Sequence, residues 1–564
     1  MRKRLFSYLL VHTILLTSVH AVAQEQLSVS KSADISFRRE EYAKAAGLYE
    51  KLLRSRAGKK NVPMIKQRLA TCYRMYNQYE KAAYWYAQLL ADSSGNNDNR
   101  LHYADMLKCL GRYDAAKQQY QQLPDQDNIR QRIAGCDAAV SWLAAPMPVT
   151  LKNEEWVNSS VNDWGMIRYG QEMVFVSDSL RQGMWDMKGS KQRYGRNKSA
   201  YGKLYSATVA PAGIGYSRNF SAVINNYPYH VGPACFSANG DTAYITVTDP
   251  ERKVPFNKKD IPVYGTRRLK LLLFTKQGQQ WQGPVEFPYN NNNYSVGHAA
   301  LNSAGNILYF TSDRSGGAGG TDIWFCEKQA DNSWGGPQNC GSNVNSPEDE
   351  AFPVTGNAAT LFFASKGKVG MGGYDVFMVN GSKNNWSEAV NLKPPFNSSG
   401  DDFYYTTPTA QRGFIASNRP GGKGGDDIYS FAIADEIPAT IPPQIPLLRI
   451  PLELEICVPS TVCVYLYNKT RDMGWCYMVM PPSRKIEAKL EPDAAYVVRV
   501  HYPDRIDSLA FDTYGVTGTD PLYKTICPPT GSIPAVKKAT TSGKTRSTPP
   551  HKKRKHQRAS GKQR

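Results

Sequence analysis

The sequence predicts a multidomain α plus β protein. In order, it reads as an N-terminal α-solenoid of helical repeats, a central β-propeller, a small C-terminal β-sandwich and a disordered basic tail. Three observations carry this. A glycine-rich hairpin signature recurs with its serines, Ser312, Ser365 and Ser417, 53 and 52 residues apart. A tyrosine–alanine pattern with helical spacing recurs upstream, with Tyr42, Tyr79 and Tyr113 separated by 37 and 34 residues. Residues 531–564 hold eleven Lys or Arg and no Asp or Glu.

The hairpin defines the middle of the chain. Thr311–Phe325 (TSDRSGGAGGTDIWF) recurs as Ala364–Phe377 and Ala416–Tyr429. A repeat near fifty residues with several short strands is the pattern of propeller blades. Within one unit, the apolar run Ile307–Phe310 reads as a strand buried on both faces. Gly316, Gly317, Gly319 and Gly320 allow a tight connection. Asp322, Asp375 and Asp427 are expected to accept backbone N–H bonds where the next strand begins, which accounts for them without Ca²⁺ or another ligand. Two weaker units precede, around Glu172–Ser177 and Pro233–Thr248. Five blades are expected within 145–435, with room for a sixth in the insertions. The fifth lacks an outer strand after Tyr429, and Val149–Trp156 is expected to supply it. Its Asn158-Ser159 matches Asn345-Ser346 and Asn397-Ser398. Such closure removes exposed sheet edges.

Residues 1–23 read as a secretory signal: Arg2, Lys3 and Arg4, the apolar Leu9–Leu16, then Ala21-Val22-Ala23. No later run is apolar enough to span a membrane, so a periplasmic chain, peripherally associated with the outer membrane, is expected. Residues 30–143 carry the helical pattern. Small alanines let paired helices approach and tyrosines fill between pairs. Residues 436–447 are a Pro-rich linker and 448–530 read as a seven-strand sandwich. Of the net charge of +20, eleven charges belong to the 531–564 tail, which has too few apolar residues to fold. Lys552, Lys553, Arg554, Lys555 and Arg558 are the candidate contacts to an anionic envelope surface or other polyanion. An exported chain is not expected to meet nucleic acid.

The ten cysteines include no C-x-x-C. Cys72, Cys109 and Cys136 read as small core residues. Cys326 and Cys340 flank strands of one blade and are candidates to pair. One or two bridges are expected among Cys457, Cys463, Cys476 and Cys527. There is no G-x-S-x-G, no H-E-x-x-H and no phosphate loop. His230 and His298 occupy comparable places before blades two and three and read as structural. Asp349/Glu350 and Asp401/Asp402 read as turn-fixing pairs that begin strands. No catalytic residue, metal ligand or cofactor is assigned, and the chain is expected not to be an enzyme.

Together these residues resemble a known combination. The motif SDR-x-GG-x-GG-x-DI-[YW] at 312–324, and more loosely at 365–377 and 417–429, looks like the TolB-type (WD40-like) propeller repeat. The helical pattern resembles tetratricopeptide repeats. With the signal, the layout resembles periplasmic, outer-membrane-associated proteins of Bacteroidota in the OmpA family, including a type IX secretion component. Residues 448–530 would then resemble a carboxypeptidase-regulatory-like fold. In place of an OmpA-like domain this chain has its basic tail. The resemblance implies a non-enzymatic scaffold or adaptor docking periplasmic or outer-membrane proteins in type IX secretion, gliding or envelope integrity. The alternative reading is a glycan- or peptide-binding module using the propeller's central opening.

Overall fold

A computed structural model of the chain describes residues 27–92, 94–181, 192–210, 213–249, 266–356, 359–408, 412–432, 450–456, 462–470, 473–479, 485–490, 494–501, 506–514, 516 and 521–526. The signal segment, the Pro-rich linker, the basic tail, Cys457 and Cys527 lie outside these residues.

Helices come first and in pairs: α1 (Val29–Arg38) with α2 (Tyr42–Leu53), α3 (Val62–Met75) with α4 (Tyr79–Ala91), and α5 (Asn97–Cys109) with α6 (Tyr113–Tyr120), followed by α7 (Asp127–Ala144). The pairs turn the same way. Glu40, Asn77 and Gly111 stand at φ 58°, 60° and 70°. The next residue then bonds back to the helix, Glu41 N to Ser36 O, Gln78 N to Tyr73 O and Arg112 N to Leu107 O, at 2.8–2.9 Å. This left-handed cap satisfies the last carbonyls of the first helix and sends the second back along it. Ala45, Ala46, Tyr49, Ala82, Ala83 and Tyr86 are buried between the pairs.

Five antiparallel sheets follow. Blade one comprises Asp163–Tyr169, Glu172–Ser177, Lys203–Ala210 and Gly213–Asn219. Blade two comprises Val231–Phe236, Thr242–Thr248, Leu269–Gln277 and Gln280–Glu286. Blade three comprises Val296–Leu301, Ile307–Ser312, Asp322–Glu327 and Gln338–Asn339. Blade four comprises Glu350–Thr355, Thr360–Ser365, Asp375–Ser382 and the short strands Asn385–Trp386 and Val390–Asn391. Blade five comprises Asp402–Thr406, Arg412–Ser417 and Asp427–Ala432, and its outer strand is Thr150–Asn153, paired antiparallel with Tyr429–Ala432. Each blade packs on the next and the fifth on the first, so the ring is a closed β-propeller.

A separate apolar core fills each joint. Val176 and Ile245 meet between blades one and two, and Leu271 and Phe310 between two and three. Phe325 and Phe363 meet between three and four, Phe362 and Phe431 between four and five, and Phe175 and Phe414 between one and five. Cys326 belongs to the core between blades two and three, and Cys340 to that between three and four. Both are free thiols, so the expected pairing does not occur.

One asparagine also bridges each joint. The side chains of Asn158, Asn225, Asn290, Asn345 and Asn397 bond both the N–H and the C=O of Ile428, Leu204, Leu271, Ile323 and Val376, respectively, at 2.7–2.9 Å. The amide turns one N–H and its oxygen to the strand with the geometry of a missing strand residue, and keeps its second N–H for another partner.

The expectation of an α plus β chain of separate helical, propeller and sandwich domains is corrected here. Strand residues outnumber helical ones among the described residues, and the helices end at Ala144. The chain is mostly β, built from small antiparallel sheets. It divides into two compact units, Met1–Ile441 and Pro442–Arg564, and the helices share the first with the ring. The reason is docking. Ala43 N donates to Arg196 O of blade one at 3.0 Å, and Tyr79 Oη to Asp401 Oδ2 at 2.9 Å. Arg132 pairs with Glu348 at 3.2 Å, and Met371 of blade four is buried among α5, α6 and α7.

Gly135 of α7 lies so close to Gly370 that an added Cβ would stand 2.6 Å from its carbonyl oxygen. Gly135→Ala is therefore expected to lower stability by about 1–3 kcal/mol, since backbone must move to admit the methyl. Chemical denaturation followed by tryptophan fluorescence would measure this, and an unchanged midpoint would refute the tight seam.

The second unit holds two sheets over one core. Lys485–Leu490, Ile450–Ile456 and Leu522–Ile526 form one, the last two strands pairing in parallel. Met473–Val479, Val462–Asn468, Ala495–His501 and Ile506–Asp512 form the other. Leu452, Leu454, Leu466, Val498 and Val500 are buried between them.

Candidate functional site

The hub of the ring is where equivalent residues of all five blades converge. Each innermost strand is interrupted by a bulge at the same place: Trp164/Ile167, Val231/Ala234, Gly297/Ala300, Ala351/Val354 and Phe403/Thr406. Within each bulge one residue is left-handed: Gly165 (φ 69°), Gly232 (110°), His298 (52°), Phe352 (54°) and Tyr404 (53°). For a bulky residue that conformation costs about 1–3 kcal/mol and persists only where packing enforces it.

The bulges gather rings at the hub. His298 stacks on Phe352 at 4.3 Å, and Phe352 lies 4.6 Å from Phe403. Trp164 meets Phe352 at 5.8 Å, Phe403 at 5.9 Å and Tyr404 at 6.3 Å. Tyr404 is buried, and its hydroxyl donates to Ala234 O at 3.1 Å. The central opening is therefore filled with aromatic side chains at this level. Trp164, His298, Phe352 and Tyr374 are half-buried and form a floor.

Polar side chains stand around that floor on the face where the helices dock. Asn162 Nδ2 donates to Asp178 Oδ2 at 2.7 Å, and Asp426 N to Asn162 Oδ1 at 3.0 Å. Tyr374 N donates to Asp401 Oδ1 at 2.9 Å, and Thr321 N to Asp349 Oδ1 at 3.1 Å. Lys366 pairs with Asp349 at 3.2 Å and Arg268 with Asp313 at 2.8 Å. The corner of α3 and α4 touches the rim, where Asn418 Nδ2 donates to Tyr79 Oη at 3.0 Å.

Carboxyls here and beside the hub hold their protons tightly. Burial, then the charges of Asp401 and Asp178, push Asp426 up to about 8. Burial raises Asp178 to about 6 against hydrogen bonds from Asn162 and Ser199. Burial likewise raises Asp375 and Glu350 to about 7 each.

The repeated acidic residues of the sequence are taken up by turns. Asp375 accepts Met371 N and Gly372 N at 3.1 and 3.0 Å, and Asp322 accepts Ala318 N at 2.5 Å. Glu350 accepts Ser346 N and Ser365 Oγ at 2.6 Å each, and Asp402 accepts Ser398 N and Arg419 Nη2 at 2.6 Å each. The two histidines are not comparable. His230 precedes its strand and accepts Gly202 N at 3.0 Å, whereas His298 sits in the bulge. Burial depresses both to about 4, so neither is charged at neutral pH. Among the described residues no group of His, Cys, Asp or Glu is placed to hold a metal ion. The candidate polyanion contacts Lys552, Lys553, Arg554, Lys555 and Arg558 lie outside the described residues.

On the opposite face, the turns of blades one and two leave a cleft of about 820 Å³ lined by Arg168, Tyr169, Phe236, Asn239, Asp241 and Lys276 among others. Composition gave no hint of it, because its lining comes from three separate turns that spread over more than a hundred positions, from Arg168 to Lys276.

No family model matches the chain, and no curated protein does. Solved structures do. A puromycin-hydrolyzing peptidase of Mycobacterium tuberculosis is similar over 63% of this chain and 54% of its own, at 10% identity and TM-score 0.28. The chain thus spans about half of that peptidase. A xylan β-1,4-xylosidase of Bacillus halodurans is similar over 64% of this chain and 92% of its own, at 10% identity and TM-score 0.32. The BP39L lectin of Burkholderia pseudomallei is similar over 65% and 95%, at 11% identity and TM-score 0.24. The expectation that the chain is not an enzyme is corrected by this finding, since the matching structures include hydrolases as well as a lectin.

Proposed function

We propose that the chain is a glycan-binding protein whose ligand sits over the hub of the propeller. The observation that carries this reading is the bulge. Three successive blades hold a bulky ring, at His298, Phe352 and Tyr404, in a conformation usually left to glycine. The result is an aromatic floor with Trp164 at its centre, walled by amides and carboxylates. Flat apolar rings suit the C–H faces of a sugar, and planar polar groups suit its hydroxyls.

The test is calorimetric titration of the purified chain with a panel of neutral oligosaccharides and, in parallel, of short peptides. Trp164→Ala is expected to weaken glycan binding about tenfold or more, on the scale of one buried aromatic contact. Binding of peptides alone, or a glycan bound equally well by the Trp164→Ala variant, would overturn the reading.

A second reading is docking of protein partners in the periplasm at the outer membrane, in secretion, gliding or envelope integrity. It draws on Val140 and Leu143, about half exposed on α7. The basic residues Lys552, Lys553, Arg554, Lys555 and Arg558 would then hold the chain to an anionic envelope surface. Deleting 531–564 should abolish retention on purified envelopes at low salt, and retention by the truncated chain would exclude that role.

A further inference from the structure

The cleft between blades one and two, on the face away from the helices, carries its own chemistry. Its floor is aromatic. Tyr169 lies 4.5 Å from Phe236, and Phe220 and Trp281 pack behind them at 5.5 and 5.9 Å from Tyr169. The Tyr169 ring is fixed in place, its hydroxyl donating to Gly240 O at 3.2 Å and accepting from Lys276 Nζ at 2.9 Å.

Two cations line the same cleft, Arg168 and Lys276. Lys276 Nζ stands 5.3 Å from the centre of the Tyr169 ring, on its hydroxyl side, and Arg168 Nε donates to Gly170 O at 3.0 Å. Neither takes part in a described ion pair. The two acids of the cleft are already engaged. Glu172 pairs with Arg218. Asp241 accepts Thr242 Oγ1 at 2.8 Å, Ser237 Oγ at 3.0 Å and Asn239 Nδ2 at 2.7 Å within its own turn. A guanidinium keeps four N–H donors free beyond the one it spends, in a planar fork that matches a carboxylate. An ammonium beside it supplies a second charge-assisted contact.

We propose that this cleft is a binding site for an acidic saccharide, with Arg168 and Lys276 on a sugar carboxylate and the Tyr169 and Phe236 rings along the sugar itself. The site is independent of the hub and does not rest on the hub's ligand. The carboxylate supplies the two negative oxygens that the cations lack. The rings give the sugar an apolar surface that a free inorganic anion would leave empty.

The probe is a tetramer of galacturonic acid, compared with the same tetramer as its methyl ester. The ester keeps the sugar and removes the charge. The full chain is expected to bind the acid at least about tenfold more tightly than the ester, by calorimetry at low salt. Arg168→Gln and Lys276→Gln should each weaken binding of the acid about tenfold while leaving the thermal midpoint in place. Trp164→Ala at the hub should leave it unchanged. Equal binding of acid and ester, or full binding by the Arg168→Gln/Lys276→Gln double variant, would overturn the proposal. So would binding of inorganic sulfate as tight as that of the tetramer, since the rings would then contribute nothing. Loss of binding in Trp164→Ala with binding retained in the double variant would place the acidic sugar at the hub instead.

Discussion

Asn397→Ala will lower the stability of the ring by roughly 2–6 kcal/mol, because it leaves two buried backbone groups without partners at about 1–3 kcal/mol each. Asn397 is 1% exposed. Its amide holds Val376 N at 2.8 Å and Val376 O at 2.9 Å, and also reaches Asn391 Oδ1 at 2.8 Å. Water cannot replace it, since the joint around it is closed by Phe396, Val376 and Tyr405. The matching change at Asn290 should cost less, because that residue is only half-buried and solvent can partly satisfy Leu271. Urea denaturation of the two variants would measure the difference. Equal costs, or a loss below about 1 kcal/mol at Asn397, would mean that the asparagines do not hold the joints.

Three of these asparagines could be read from the chain because a serine follows each. Ser159, Ser346 and Ser398 all donate to the acid that opens the next strand. Asn225 and Asn290 have no such serine and left no mark in the pattern. The hairpins were legible for a similar reason. Their serines and aspartates act on backbone within a few residues, so sequence spacing and geometry coincide. Closure of the ring by Thr150–Asn153 was legible from Asn158, which lies five residues beyond the strand it helps to hold.

What stayed hidden joins distant parts of the chain or changes identity from blade to blade. The hub position is Gly165, Gly232, His298, Phe352 and Tyr404, two glycines and three rings, so no single residue type marks it. The bulge is a property of the paired strands, and only the register exposes it. Docking of the helices depends on pairs such as Tyr79 and Asp401, more than three hundred residues apart. The helical period therefore predicted the pairs of helices but not the surface they would cover. Cys326 and Cys340 are near in sequence and yet face opposite joints, because the strand that carries Cys326 separates two cores.

The ring should also lose stability as pH rises from about 6.5 to about 8, a direction opposite to that of most acid-rich proteins. The carboxyls of Asp426, Asp375 and Glu350 are raised by burial to about 8, 7 and 7. In the unfolded chain they ionise near pH 4. Above that the unfolded state has shed protons that the folded state still holds. The stability these groups contribute is whole below about pH 4 and is lost as pH climbs through their folded values. His230 and His298 work against this at lower pH, since burial depresses both to about 4 and their neutral forms favour folding as pH rises toward 6.5. Above 6.5 their contribution is constant, so the carboxyls set the slope. Burial lowers Lys203 to about 8, which begins to restore stability only above that value. Asp426→Asn isolates the effect, because its amide matches the protonated acid and cannot ionise against Asp401 and Asp178. The variant should match the parent near pH 3, where Asp426 is protonated in the folded and the unfolded chain alike, and melt at an increasingly higher temperature as pH rises to 8. A parent midpoint that is flat or rises between pH 6.5 and 8, or a variant with the parent's slope, would show that these carboxyls are ionised in the folded ring.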